Sequence, residues 1–174
     1  MSRRSLPWVY AYEEEHRPQE HRFLERPLLR PVVVIRFAGA RLSEQNVAAL
    51  VDSGSDHVLA APWIAQEIGV EPDPHREMWI KVGGAVRPVR FADVTIHLLP
   101  PAATVRQGGF DADATVNWET QVGFFTQWDS PPWMAVLGQV GFFDRFTVTM
   151  SRHSQALAVS HQEDFDERHP PSSM

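Results

Sequence analysis

Short apolar runs broken by turn residues make up most of the chain between residues 31 and 151. "PVVVIRF" at 31–37 is β-branched and too short for a helix, and Pro31 stands at its start, where a strand tolerates the missing N–H. "NVAALV" at 46–51 is a second run, and the intervening "AGARLSEQ" supplies turn chemistry, so the two are predicted to form a hairpin ending at Asp52. The period then changes. "APWIAQEIG" at 61–69 carries Pro62 at a first helical position, Ile64 and Ile68 four residues apart and Gly69 as a stop, which predicts one short helix.

Alternation returns in "EMWIKVGGAVRPVRFADVTIHLL" at 77–99. Met78, Ile80 and Val82 share one face, a Gly-Gly pair interrupts, and Val94, Ile96 and Leu98 resume the pattern, as in a long hairpin. Residues 100–114 read as a long loop, "VNWETQVGFFTQW" at 116–128 as a long strand or strand pair, and "PWMAVLGQVGFFDRFTVTMS" as an apolar strand, a short amphipathic segment after Gly138 and a further strand at 146–150. The expectation is an all-β domain with one or two short helices. Flanking it, residues 1–30 read as a charged N-terminal arm, most charged in "AYEEEHRPQEHRFLERPLLR", and "HQEDFDERHPPSSM" from His161 as a disordered acidic tail.

With 174 residues, 43% hydrophobic and 22% charged, the chain has the length and composition of one globular domain, placed here at 31–160. A net charge of −6 without a basic cluster leaves no footprint for nucleic acid. No apolar stretch is long enough to span a membrane, and the start lacks the apolar core of a signal peptide, so a cytoplasmic protein with no membrane partner is expected. Cysteine is absent, which excludes thiolate nucleophiles, and the eight His residues form no ligand pair at helical spacing, so no metal is expected. The chemistry is left to carboxylates, hydroxyls, His or Lys.

Asp52, in "LVDSGS", follows an apolar strand and precedes a hydroxyl residue and a glycine. Asp, Ser and Gly are also the residues of ordinary turns. A second segment bears on the choice. "ALVDSGSDHVL" at 49–59 resembles the active-site strand and turn of the retropepsin-like (retroviral-type, single-domain) aspartic proteases: two apolar residues, Asp, Thr or Ser, Gly, then Ala or Ser. "AVLGQVGFFDRFTV" at 135–148 is similar to their second signature, two apolar residues and a Gly leading into a short helix.

The resemblance implies a closed retropepsin-like β-barrel in which Val136, Leu137 and Gly138 pass behind the Asp52 turn in a ψ-shaped loop. Only one Asp-Ser-Gly is present, whereas the chemistry takes two carboxylates. The resemblance therefore implies a homodimer with one Asp52 from each chain, an aspartic endopeptidase acting on peptide or protein substrates without metal or organic cofactor. Asp52, Ser53 and Gly54 are then the catalytic set, with the Ser53 hydroxyl interlocking the two turns. Ser55 and Asp56 are implied in substrate binding, with the Ser55 hydroxyl near the carboxylate. Val82, Gly83, Gly84 and Ala85 become the tip of a flap over the peptide; its plain reading is a β-turn.

Gln139 stands where the family often has the Arg that pairs with the acid at position 56. Arg145 or an arm residue takes that role, or Asp56 is a solvated loop acid. Trp118, Phe124, Phe125 and Trp128 read as core, or as contributors to the dimer contact or the cleft ends. The arm is left as a pro-segment across the cleft, a strand of the dimer sheet or neither. Two other readings stand beside the protease: an inactive peptide-binding or dimerisation module with the same fold, and a monomeric barrel whose Asp-Ser-Gly is only a turn.

Overall fold

The computed structural model describes residues 6–14, 28–82, 84–101, 112–128 and 133–168. In chain order they form β1 (Trp8–Ala11), β2 (Glu13–Glu14), β3 (Leu29–Arg30), β4 (Val32–Ala38), β5 (Val47–Val51), β6 (Val58–Ala60), α1 (Pro62–Glu67), β7 (Glu77–Val82), β8 (Ala85–Leu98), a 3-10 turn at Ala112–Ala114, β9 (Val116–Phe125), β10 (Ala135–Leu137), β11 (Phe146–Ser151), β12 (Ala156–His161) and α2 (Gln162–Arg168). Among the described residues no helix is long and apolar enough to cross a membrane.

The main sheet runs β4-β5-β10-β6-β9-β8, and β8 pairs back onto β4, which closes a six-stranded barrel. The expected hairpin opens it, with Val32 opposite Leu50 and Ile35 opposite Val47. Closure depends on the length of β8, which at 14 residues is long enough to serve three partners. Its last residues, Thr95 to Leu98, pair with β4, its stretch from Val89 to Leu98 pairs with β9, and its first residues pair with β7. The β7–β8 hairpin therefore rises from the barrel wall. Val94, Ile96 and Leu98 point inward with Ile35, Phe37, Ala49, Val122 and Phe124, and α1 adds Ile64 while Ile68 just beyond it joins the same core. Burying each Val, Ile, Leu or Phe among them stabilises the fold by about 1.5–3 kcal/mol.

The segment at 116–128 resolves into a single strand of ten residues, β9, followed by a short turn. Trp118, Phe124 and Phe125 are core residues, and Trp128 packs edge-on against Phe125. Most of the 100–114 loop lies outside the described residues. The short helix anticipated after Gly138 is instead a run of turns over 139–145. Gly141 has φ +100 there, a left-handed backbone that breaks a right-handed helix, and its hypothetical Cβ would meet Thr120 Oγ1 at 2.5 Å.

Two boundaries differ from expectation. The folded part begins before residue 31: β1 in the arm pairs antiparallel with β12 of the same chain, which also pairs with β11 in a three-stranded sheet. The reason is visible in "WVYAY", where Trp8, Tyr10 and Tyr12 face inward at period two, and Tyr10 is buried with its hydroxyl donating to Leu99 O at 2.7 Å. At the other end, β12 runs through His161 and α2 continues to Arg168, so structure extends past the point where a disordered tail was placed. Glu163 and Asp164 in the first turn of α2 suit the positive end of its dipole. Residues 169–174 lie outside the described set.

Candidate active site

Strands β5 and β6 flank the Asp52 turn but do not pair with each other. β10 lies between them, parallel to β5 and antiparallel to β6. Asp52 N donates to Leu137 O at 3.0 Å at the end of β10, while Gln139 N and Val140 N donate to Ser55 O and Asp56 O at 2.8 and 2.9 Å. The chain just after β10 is thus stitched to the far limb of the turn. Gly138 sits at the crossing, where a Cβ would lie 2.5 Å from Ser55 O, a separation that real side chains do not show.

Within the turn, Asp52 is half-buried and its Oδ1 accepts the Gly54 N–H at 2.9 Å, while Ser55 N donates to Asp52 O at 3.1 Å. These local bonds are the usual chemistry of an Asp turn and aim the carboxylate. Gly54 leaves room beside it: a Cβ there would stand 3.2 Å from Asp52 Oδ1, a tight contact that the carboxylate would have to ease. Ser53 is exposed, and its carbonyl accepts from Gln139 Nε2 at 2.7 Å. The Ser55 hydroxyl does not bond the carboxylate as anticipated; it donates to His57 O at 2.8 Å, bracing the entry to β6.

A cleft of about 300 Å³ opens beside this turn. One wall is Gly54, Ser55, Asp56, His57 and Leu59; the other is the β7 strand from Met78 to Val82. In the hairpin, Val82 pairs with Ala85 across a two-residue loop whose Gly84 has φ +83; Gly83, the remaining flap residue, lies outside the described residues. Ile80 and Val82 pack with Leu59, Val89, Phe91 and Phe125 in a small apolar cluster of their own. The hairpin is therefore rooted on the barrel, while Trp79 on its cleft strand and Val86 on the other limb stay exposed, at 61% and 56%.

The structure thus brings Asp52, Ser53, Gly54, Ser55 and Asp56 together with Val136, Leu137 and Gly138, and sets Val82 across the cleft. Gly84 and Ala85 sit at the hairpin tip next to Val82 and are not themselves among the residues that line the cleft. Asp56 is exposed, and among the described residues no ion pair joins it to Arg145. Sequence reasoning missed His57, Leu59, Met78, Trp79 and Ile80 as cleft residues. The first two lie on the limb leaving the Asp52 turn and the other three precede the flap stretch on the same strand, so proximity to those two segments was the available signal. His57 packs edge-on against Phe91, ring centroids 5.2 Å apart, which orients its ring.

No protein-family model and no curated protein matches the chain. Among solved structures, it is similar to the EIAV protease complexed with the inhibitor HBY-793, at 14% identity, covering 69% of this chain and 88% of that one with a TM-score of 0.34. It is also similar to a retropepsin-like aspartic protease from Rickettsia conorii, at 12% identity, covering 73% and 88% with a TM-score of 0.39. Retroviral and retropepsin-like aspartic proteases are thus among its structural neighbours.

Proposed function

We propose that this protein is an aspartic endopeptidase that acts as a symmetric homodimer, with Asp52 of each copy forming the catalytic pair. The observation that carries the reading is the position of Asp52 at the end of β5, in a turn clasped by β10 and opening beside the cleft under the β7–β8 hairpin. One chain supplies one such carboxylate, so the site is completed by a second copy about a two-fold axis.

Two carboxylates about 3 Å apart do not both ionise, and the pair holds one proton. The ionised member takes a proton from a water as that water attacks the scissile carbonyl, and the protonated member donates to the carbonyl oxygen. The tetrahedral intermediate then collapses as a carboxyl proton passes to the departing amine while one of the intermediate's two hydroxyls gives its proton back to the other carboxylate, so that the C–N bond breaks, the product carboxyl forms and the pair again holds one proton. Ser53, exposed beside the carboxylate, is suited to contact the second copy across the axis, and the hairpin to cover the peptide and exclude water.

The test is cleavage of a diverse peptide library, read by mass spectrometry from acid to neutral pH, with wild-type protein and Asp52→Asn, alongside light scattering for mass. A dimer whose cuts vanish in Asp52→Asn supports the reading, and equal cutting by the variant ends it. The second reading, a peptide-binding module, is favoured by Gln139 standing in place of the usual Arg. Its outcome is a peptide held in the cleft and left whole at every pH.

A further inference from the structure

We propose that Gln139 is a positioning residue for the Asp52 carboxylate, acting through the peptide group between Ser53 and Gly54. The inference rests on the reading of Asp52 as the acid-base group and adds a device that the Asp-Ser-Gly motif does not contain.

Gln139 Nε2 lies 2.7 Å from Ser53 O, and Gly54 N lies 2.9 Å from Asp52 Oδ1. Ser53 C=O and Gly54 N–H are the two polar ends of one planar peptide group. The side chain at 139 therefore grips one end of a rigid plate whose other end holds the carboxylate. Only the NH₂ group of the amide can face a carbonyl, which settles its orientation. Gln139 N also donates to Ser55 O at 2.8 Å, so residue 139 is tied to the turn on both sides of Gly54.

Gly54 lacks a side chain to restrain its backbone, and the turn is exposed at Ser53 and Gly54. With the Gln139 amide removed, the peptide plate can rotate about its flanking bonds and carry the Gly54 N–H away from Asp52 Oδ1. Donating to the Ser53 carbonyl also polarises the peptide and strengthens its N–H as a donor to the carboxylate. Gln139 thus replaces the expected ion pair with Asp56 by a neutral clamp, and Asp56 remains an exposed acid on the cleft wall.

The test uses Gln139→Met, which keeps the side chain's length and removes the donor, and Gln139→Glu, which donates only when protonated. Peptide cleavage gives kcat and KM across pH, and hydrogen exchange reads the Gly54 and Ser55 amides in the full-length protein. Gln139→Met is expected to lower kcat roughly 10- to 100-fold with KM nearly unchanged, as for a displaced catalytic group. Gln139→Glu is expected to match it near neutral pH and to recover relative to wild type as pH falls below about 4.3, where the introduced carboxyl gains its proton. A role confined to packing gives no such recovery.

Exchange at Gly54 is expected to quicken in Gln139→Met while protection in β5 and β9 is kept. Unchanged exchange at Gly54 in that variant overturns the proposal whether or not the wild type cleaves peptide. If wild type fails to cleave any peptide, the protease reading falls and the clamp is judged by exchange alone. If wild type cleaves and neither variant alters kcat, the clamp falls and the protease reading stands.

Discussion

Gly138 lies so close beneath His57 that a Cβ on it would stand 2.4 Å from the His57 carbonyl oxygen. The clash is with backbone on both near sides, His57 and Ser55, which cannot rotate away as a flexible side chain would. This contact is where the strand carrying Val136 and Leu137 passes behind the Asp52 turn. Gly138→Ala is expected to cost about 3 kcal/mol of stability, within the range for forcing extra atoms into a packed site. Chemical denaturation measures it, and a cost under half that value would mean the crossing can widen.

Asp52→Asn is expected to leave the barrel almost unchanged. The Asn side-chain oxygen can accept the Gly54 N–H as Asp52 Oδ1 does, and the residue is only half-buried. The unfolding free energy should stay within about 1 kcal/mol of wild type. A larger loss in a denaturation curve would make the carboxylate a structural group as well.

Tyr10 ties the N-terminal strand to the barrel through its hydrogen bond to Leu99 O, and Tyr10→Phe is expected to cost about 1–3 kcal/mol by leaving that carbonyl without its partner. Burial holds the Tyr10 phenol well above its usual range. An unfolded Tyr loses its proton near pH 10 while the folded one keeps it, so the unfolded state gains relative stability as pH rises past about 10. Wild type should therefore lose stability above that pH more steeply than Tyr10→Phe, as read by denaturation between pH 8 and 11.

His97 has the opposite sign. Burial first, and then the charge of Arg36 opposite it on β4, hold its imidazole below the usual range. Below about pH 6.5 the unfolded chain takes up a proton that the folded chain resists, so stability present at neutral pH declines as pH falls toward the lowered value. Comparing wild type with His97→Gln at pH 7 and pH 5 should show a smaller acid-side loss in the variant. Equal losses would remove His97 from the acid response.

What the chain determined by itself is what neighbouring residues decide among themselves. The β-branched run before Arg36, the alternation of Val94, Ile96 and Leu98, the Pro62 helix start and the Asp-Ser-Gly turn are local preferences of backbone and side chain, and each reads correctly in isolation. The period-two face of Trp8, Tyr10 and Tyr12 was equally local, but the charged residues after it masked it. The passage of Val136, Leu137 and Gly138 behind the Asp52 turn was expected from the family resemblance, not from local preference, and only the tertiary structure decided that β8 is the strand that closes the barrel on β4, that β1 joins β12, and that the Gln139 amide reaches Ser53. Those contacts join residues far apart in sequence, and their free energy comes from burial and hydrogen bonding that exist only once the chain has closed, so no window of neighbouring residues carries them.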